Sequence, residues 1–287
     1  MNHANISTNS DNAEIGKVSY GDLSKFACFL VIGLLIIILN VTEIIIITRK
    51  KTKKNYEYML LGLSTSDALL GFSFFIYRIL HALTKVPIAP IFVVFFFSLT
   101  ASIFNILALS LERMYAVLYP IQHRVLFTKS KLALCVAVIW ISTFAITIAV
   151  SLTVDKTKCT LDGHVLNEVF YVAPMITTVD FLYVIIYLII LIKLCRTRHA
   201  PTLSANMIKR TERKSIVLCC MIALVFVLFT APTAIGMSVF HKTPIWSRVP
   251  LLLNSISNSV VYFFLSKIDV KCCMKTQAKL QSIEVHV

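Results

Sequence analysis

Seven long apolar segments constrain the fold of this chain more than any other feature of its sequence. They lie at about residues 26–48, 57–80, 88–118, 132–154, 168–195, 215–240 and 248–266. The last segment is the weakest, but each is near or above the roughly 20 residues that a helix needs to cross a bilayer. The sequence therefore predicts an all-α membrane protein, built as a bundle of seven transmembrane helices.

Charged residues are few, and most of them lie between these segments. Only 15% of the residues are charged and 57% are hydrophobic, whereas roughly a quarter of the residues in soluble domains are charged. A net charge of +14 would suggest nucleic-acid binding in a soluble protein, but here it reflects basic loops between apolar runs. We predict a lipid bilayer around the chain and no nucleic-acid partner.

Lys and Arg are concentrated in alternate loops, after the first, third, fifth and seventh segments. By the positive-inside rule, the N-terminus lies outside the cell and the C-terminus inside. We expect an extracellular tail over residues 1–24 and a seven-helix domain over 25–266. A short amphipathic eighth helix and a cytoplasmic tail follow over 267–287. Asn5 begins an Asn-Ile-Ser glycosylation triplet in the first tail, and Cys272 and Cys273 are candidates for palmitoylation after the last span.

Asp67 places a carboxylate in the middle of the second segment, where an isolated charge is expensive and a partner is expected. Polar residues at matching depths are Ser102 in the third segment and Asn254, Ser255 and Asn258 in the seventh. Oxygen atoms around a carboxylate suit a small hard cation or a proton. The alternative is a hydrogen-bond cluster that only holds the helices together.

Glu112 and Arg113 stand where the third apolar run ends. Because adjacent residues point about 100° apart on a helix, the Arg can face neighbouring helices while the Glu holds it locally. Glu212 lies 20 residues before Pro232, about 30 Å along a helix, at the same cytoplasmic level. A pair between Arg113 and Glu212 would close that end of the bundle; the alternative is that these charges are only solvated at a membrane exit.

Three motifs carry a resemblance to a known family. Beginning at Glu112, the segment ERMYAVLYPIQHR resembles the Asp/Glu-Arg-Tyr motif and second intracellular loop of rhodopsin-like (class A) G-protein-coupled receptors. Leu63 and Asp67 match the second-helix motif of that family, and the segment from Asn258 to Tyr262 is similar to Asn-Pro-x-x-Tyr. Further matches, over about residues 25–275, are Asn40, Trp140, Tyr183, Phe226 and Pro232.

Several family positions carry other residues. Met114, Ser259, Thr230 and Met175 stand where the family usually has Tyr, Pro, Trp and Pro. The third segment lacks a Cys at its outer end, so no disulfide joins it to Cys159.

The resemblance is nearest to the group of melanocortin, lysophospholipid, cannabinoid and adenosine receptors, and the missing bridge is shared with the first of these. Tyr77, Ile88 and Phe92 occupy the region that is acidic in melanocortin receptors. Phe95 stands where amine receptors carry Asp. Since an amine needs a buried counter-charge, we expect a ligand that is not a monoamine.

The resemblance implies a plasma-membrane receptor that binds an extracellular ligand and activates a heterotrimeric G protein. It implies no cofactor, with Asp67 and its four polar neighbours as a candidate site for an allosteric sodium ion. The implied hinge and toggle residues are Phe226, Thr230 and Pro232. The implied G-protein switch consists of Glu112, Arg113, Glu212, Tyr183 and Tyr262.

The alternative function is that of an ion-coupled secondary transporter, with Asp67, Glu43 and Asp180 along an ion path. Neither an inverted repeat nor a pair of Gly/Pro-broken helices is visible in the sequence. We do not expect an enzyme, because the seven segments contain no His and no Gly-x-Ser-x-Gly motif. Glu43 and Asp180 match no family motif and receive no role from the sequence.

Overall fold

The computed structural model describes residues 20–84, 89–153, 173–197, 220–233, 235 and 249–264. All regular structure in these ranges is helical. The helices are α1 (Tyr20–Arg49), α2 (Asn55–Thr84), α3 (Ala89–Leu118), α4 (Pro120–Leu126), α5 (Lys129–Thr153), α6 (Ala173–Thr197), α7 (Cys220–Thr233) and α8 (Val249–Phe264). The all-α prediction is confirmed.

Five helices, α1, α2, α3, α5 and α6, are long and apolar enough to cross a membrane. The described parts of α7 and α8 are shorter apolar helices that coincide with the sixth and seventh predicted segments. The helices α2 and α3 are the most buried, whereas α5 exposes most of its surface. Since apolar side chains on an exposed helix face suit lipid, this arrangement puts α2 and α3 at the centre of the bundle.

Small residues let the central helices approach closely. A Cβ added at Gly71 of α2 would lie 2.7 Å from Cγ2 of Ile36 in α1, and one added at Gly62 would lie 2.7 Å from Oδ1 of Asn105 in α3. Both distances are shorter than a van der Waals contact. Glycine at these two positions therefore sets how closely α2 packs against its neighbours.

Two boundaries differ from the sequence analysis. Helix α1 begins at Tyr20, inside the segment 1–24 that we expected to be a tail, although the apolar span itself begins at Phe26. The helix thus extends beyond its apolar part. The short helix α4 was not predicted; Pro120 starts it, and its fixed φ and missing N–H suit the first helical position. The predicted helix over 267–287 lies outside the described residues.

Candidate functional site

Asp67 is fully buried in α2 and receives hydrogen bonds from two other helices. Its Oδ1 accepts from Ser102 Oγ of α3 at 2.6 Å and from Ser255 Oγ of α8 at 3.1 Å. Its Oδ2 accepts from Asn258 Nδ2 of α8 at 3.0 Å. The carboxyl group therefore joins α2, α3 and α8 at one point. A carboxylate with only donors around it is suited to the ionised form, which can only accept.

Asn254, the remaining residue predicted for this pocket, is buried one helical turn before Asn258. The side-chain oxygens of Asn254 and Asn258 have no hydrogen-bond partner among the described residues. Buried acceptors without a donor are uncommon, and together with a carboxylate and two hydroxyl groups they form the oxygen ligand set of a hard cation. The residues present therefore fit sodium. The described residues contain no cluster of three His, Cys, Asp or Glu, so they form no soft-metal site.

A second buried carboxyl group, Glu43 of α1, lies beside this pocket. Its Oε2 is 2.7 Å from Ser259 Oγ of α8, and Ser259 Oγ is also 3.0 Å from Asn40 Oδ1. The Asn40 amide donates to the carbonyl oxygens of Ile36 at 2.9 Å and Ser255 at 3.3 Å. Helix α1 is thus joined to α8 by polar contacts. Ser259, at the usual proline position, supplies the hydroxyl group at the centre of this contact.

Near the C-terminal end of α3, Glu112 holds Arg113 through both carboxylate oxygens, which accept from Nε and Nη2. His123 of α4 adds a third contact, with its Nε2 2.6 Å from Glu112 Oε1. The guanidinium carbon of Arg113 lies 5.3 Å from the centre of the Tyr56 ring in α2. Arg113 is only 7% exposed. The pair predicted at the membrane exit is therefore enclosed by neighbouring side chains rather than solvated.

Tyr262 at the end of α8 makes a contact that the sequence did not indicate. Its hydroxyl group accepts a hydrogen bond from Lys50 Nζ at 2.9 Å, and the same ammonium group donates to Glu57 at the start of α2. Partial burial disfavours the charge on Lys50, but the hydrogen bonds to Glu57 and Tyr262 outweigh it and raise the pKa of Lys50. Lys50 is therefore a cation throughout the neutral pH range, and it ties α2 to α8.

The predicted toggle position, Thr230 of α7, is fully buried and contacts Asp180 of α6. Thr230 Oγ1 lies 2.8 Å from Asp180 Oδ1 and 2.7 Å from the Phe226 carbonyl oxygen. The Phe226 ring packs edge-on against Tyr183 of α6, with 5.0 Å between ring centres. Asp180, to which the resemblance assigned no role, is thus the polar partner of Thr230 between α6 and α7.

Other predicted residues lie apart from these contacts or beyond the described ranges. The Tyr183 hydroxyl group of α6 donates to the Ile103 carbonyl oxygen of α3 at 3.5 Å. Pro232 is exposed and lies one residue before the described part of α7 ends, so the predicted hinge stays a prediction. Glu212, Asn5, Cys159, Cys272 and Cys273 lie outside the described residues.

Sequence reasoning missed His123, Lys50 and Glu57. The one available signal was the charge of Glu57 at the start of an apolar segment beside the basic run that begins at Arg49. Nothing in the pattern paired Lys50 with a tyrosine more than 200 residues away.

No curated protein sequence matches this chain. The sequence does match the family described as 7 transmembrane receptor (rhodopsin family) over residues 21–274, which is most of its length. That match spans all seven predicted segments, including the two whose helices are described only in part. This chain, with its buried Glu112 and Arg113 pair and its seven-helix bundle, belongs to the rhodopsin family of seven-transmembrane receptors.

Proposed function

We propose that this receptor lies in the plasma membrane with its N-terminus outside, binds an extracellular ligand, and activates a heterotrimeric G protein inside the cell. The observation that carries the proposal is the cluster of Glu112, Arg113 and His123. An Arg at the end of a membrane helix normally extends to water, yet Arg113 is folded back and bound by the neighbouring carboxylate. Because the guanidinium group of Arg113 is held by a side chain of the same helix, breaking that ion pair would release it.

The proposed mechanism is a shift between two states. In the resting state, which the structure represents, the Glu112 carboxylate binds the guanidinium group of Arg113. In the active state that group is free to donate to acceptors of the G protein, for which its planar array of five N–H groups is suited. A ligand shifts this equilibrium only by binding the released state more tightly. The predicted partner Glu212 would be a second anchor of Arg113 in the resting state.

Sodium is the one ion that we propose for the interior of the bundle. Asp67 would hold it with the oxygen atoms of Ser102, Ser255, Asn254 and Asn258, and the ion would neutralise the buried carboxylate. Since these residues belong to α2, α3 and α8, bound sodium favours the arrangement in which the three helices meet. Asp67→Asn should abolish the sodium dependence of agonist affinity, and an unchanged dependence would contradict the sodium site.

The outer half of α3 supports a ligand that is not a monoamine. Phe97 packs edge-on against Trp140 and Phe144, with ring centres 5.6 and 6.1 Å apart, and Phe95 lies 6.3 Å from Phe74. An ammonium ligand would find an aromatic surface there, and the outer half of α3 has no Asp or Glu to act as its counter-charge. On its sequence motifs, we propose that the receptor is nearest to the melanocortin, lysophospholipid, cannabinoid and adenosine group. Ligands of receptors in that group are therefore the first candidates to test.

Nucleotide exchange in membranes tests the proposal directly. Candidate ligands are screened against purified G proteins of each class, with wild-type receptor and Arg113→Ala at matched surface expression. Nucleotide exchange should require the receptor and should be lost in Arg113→Ala. Glu212→Ala should raise basal exchange by at most about fivefold, because a partly hydrated pair of Arg113 and Glu212 would contribute about 1 kcal/mol or less. If both variants raise exchange equally, Arg113 is only a latch.

The transporter alternative predicts ligand-independent cation flux in liposomes that is lost in Asp67→Asn. Flux without exchange would contradict the receptor proposal. The orientation is tested separately, because an antibody to residues 1–24 should stain intact cells, while one to residues 267–287 should need permeabilised cells.

A further inference from the structure

Glu43 has an environment that differs from that of Asp67, although both carboxyl groups are fully buried in the same part of the bundle. Three donors surround Asp67, and each has that carboxylate as its acceptor. Among the described residues, the Glu43 carboxyl group has a hydrogen bond to the Ser259 hydroxyl group at Oε2, and its Oε1 has no partner. The two sites therefore differ in the number of hydrogen-bond donors that surround the carboxyl group.

Counting hydrogen atoms between Glu43, Ser259 and Asn40 fixes where a proton must be. The Ser259 hydroxyl group has one hydrogen, but its oxygen contacts both Asn40 Oδ1 at 3.0 Å and Glu43 Oε2 at 2.7 Å. An amide oxygen can only accept. If Ser259 donates to Asn40, the contact with Glu43 is favourable only when Glu43 is the donor, which requires a protonated carboxyl group.

The alternative arrangements leave oxygen atoms facing each other. If Ser259 donated to an ionised Glu43, its lone pairs would face Asn40 Oδ1 at 3.0 Å without a hydrogen between them. Reversing the Asn40 amide would turn its oxygen toward the carbonyl oxygens of Ile36 and Ser255, to which its nitrogen now donates. Two repulsive contacts would then replace one, so the amide orientation is determined by its surroundings.

The charged and titratable groups near Glu43 do not compensate an ionised carboxylate. Asp67 of α2, in its ionised form, opposes a second negative charge at Glu43. Lys50, at the end of α1, already binds Glu57 and Tyr262, the latter being the titratable neighbour on α8. Ser64 of α2 is also close to the carboxyl group, but its hydroxyl group donates to the Leu60 carbonyl oxygen at 2.9 Å.

We propose that Glu43 is a proton-binding site, at which a neutral carboxylic acid donates to Ser259 and Ser259 donates to Asn40, joining α1 to α8. Protonation transfers one proton from a hydronium ion of the aqueous phase to Glu43 Oε2: an O–H bond of hydronium breaks, an O–H bond on Oε2 forms, and water is left. With Glu43 neutral and Asp67 ionised, the pair carries a single negative charge. One monovalent cation would neutralise that charge, whereas two ionised carboxylates would need two positive charges.

Infrared spectroscopy of the purified receptor in lipid discs tests the proposal, because a protonated carboxylic acid has a C=O stretching band that a carboxylate lacks. At neutral pH the wild-type protein should show such a band with a downshift in heavy water, and Glu43→Gln should remove it. The Gln amide can still donate to Ser259, so this variant preserves the contact. Asp180→Asn, at another buried acid, is the matched control and should leave the Glu43 band in place.

A second pair of variants leaves Glu43 itself unchanged. Ser259→Ala removes the acceptor of the proposed proton and should shift the C=O band to higher frequency, since the carboxylic acid loses its hydrogen bond. Ser259→Thr keeps a hydroxyl group and should keep the wild-type frequency. If Glu43→Gln removes no band, or if Ser259→Ala and Ser259→Thr both leave the spectrum unchanged, Glu43 is ionised or unbonded and the proposal is wrong.

Discussion

Replacement of Lys50 by Met tests the contact that ties Tyr262, near the described C-terminal end of α8, to α2. Lys50 Nζ donates to the Tyr262 hydroxyl group at 2.9 Å and to Glu57, and it lies 5.3 Å from the centre of the Tyr262 ring. Glu57 is only 1% exposed, so it would lose a charged partner while remaining buried. It would keep one donor, the Lys54 backbone N–H at 2.8 Å.

The expected cost follows from these contacts. Hydrogen bonds to charged groups contribute about 1.5–3 kcal/mol when buried, but the Lys50 side chain is 36% exposed, which puts the loss near the lower end. We expect Lys50→Met to destabilise the protein by about 1–2 kcal/mol. For a protein larger than 150 residues, each kcal/mol lowers the melting temperature by about 2–4 °C, so the apparent shift in lipid discs should be about 2–8 °C.

A double-mutant cycle with Tyr262→Phe isolates the Lys50 and Tyr262 contact from other effects. If the hydrogen bond is formed, the double variant should be more stable than the sum of the single losses predicts, by about 1 kcal/mol. Lys51→Met is the matched control, because Lys51 is the exposed next residue of the same loop. Strict additivity, or an equal effect of Lys50→Met and Lys51→Met, would refute the reasoning.

Three other contacts give predictions of their own. Gly71→Ala should lower the apparent melting temperature through a cost of about 1–3 kcal/mol, because the new Cβ would lie 2.7 Å from an α1 side chain. His123→Ala should raise basal nucleotide exchange by about fivefold at most, since it removes one of the bonds on the carboxylate that holds the switch Arg. Thr230→Val should destabilise the contact of α6 with α7 by about 1–3 kcal/mol in melting experiments, because it removes the hydroxyl group that contacts Asp180, whereas Thr230→Ser keeps that group and should not.

The sequence predicted the helices and the central carboxyl group because both follow from the bilayer. An apolar run of the right length has few alternatives to a spanning helix, and a charge such as Asp67 within it needs polar neighbours. The depth of Ser102, Ser255 and Asn258 could be counted along their segments. Depth was therefore sufficient to select these partners, without knowledge of how the helices are rotated.

Contacts that depend on helix rotation or on a turn could not be predicted in the same way. Glu43 was recognised as a buried acid, but its partner is set by which face of α1 is turned toward α8. His123 reaches Glu112 because α3 ends at Leu118 and a second helix, α4, begins at Pro120. No periodic pattern reports such a break between helices. The same holds for Lys50 and Tyr262, which are brought together by the packing of α1, α2 and α8.

The weakness of the seventh apolar segment has a physical cause in its contacts. Four of its polar residues, which reduce its hydropathy, are buried at Asn254, Ser255, Asn258 and Ser259. Asn258 and Ser259 are adjacent, so they point about 100° apart, and they contact different carboxyl groups, Asp67 of α2 and Glu43 of α1 respectively. A proline at position 259 would satisfy the family motif but could supply no hydroxyl group. The polar residues that make α8 a poor membrane span by composition are therefore those that allow it to bind two buried acids at once.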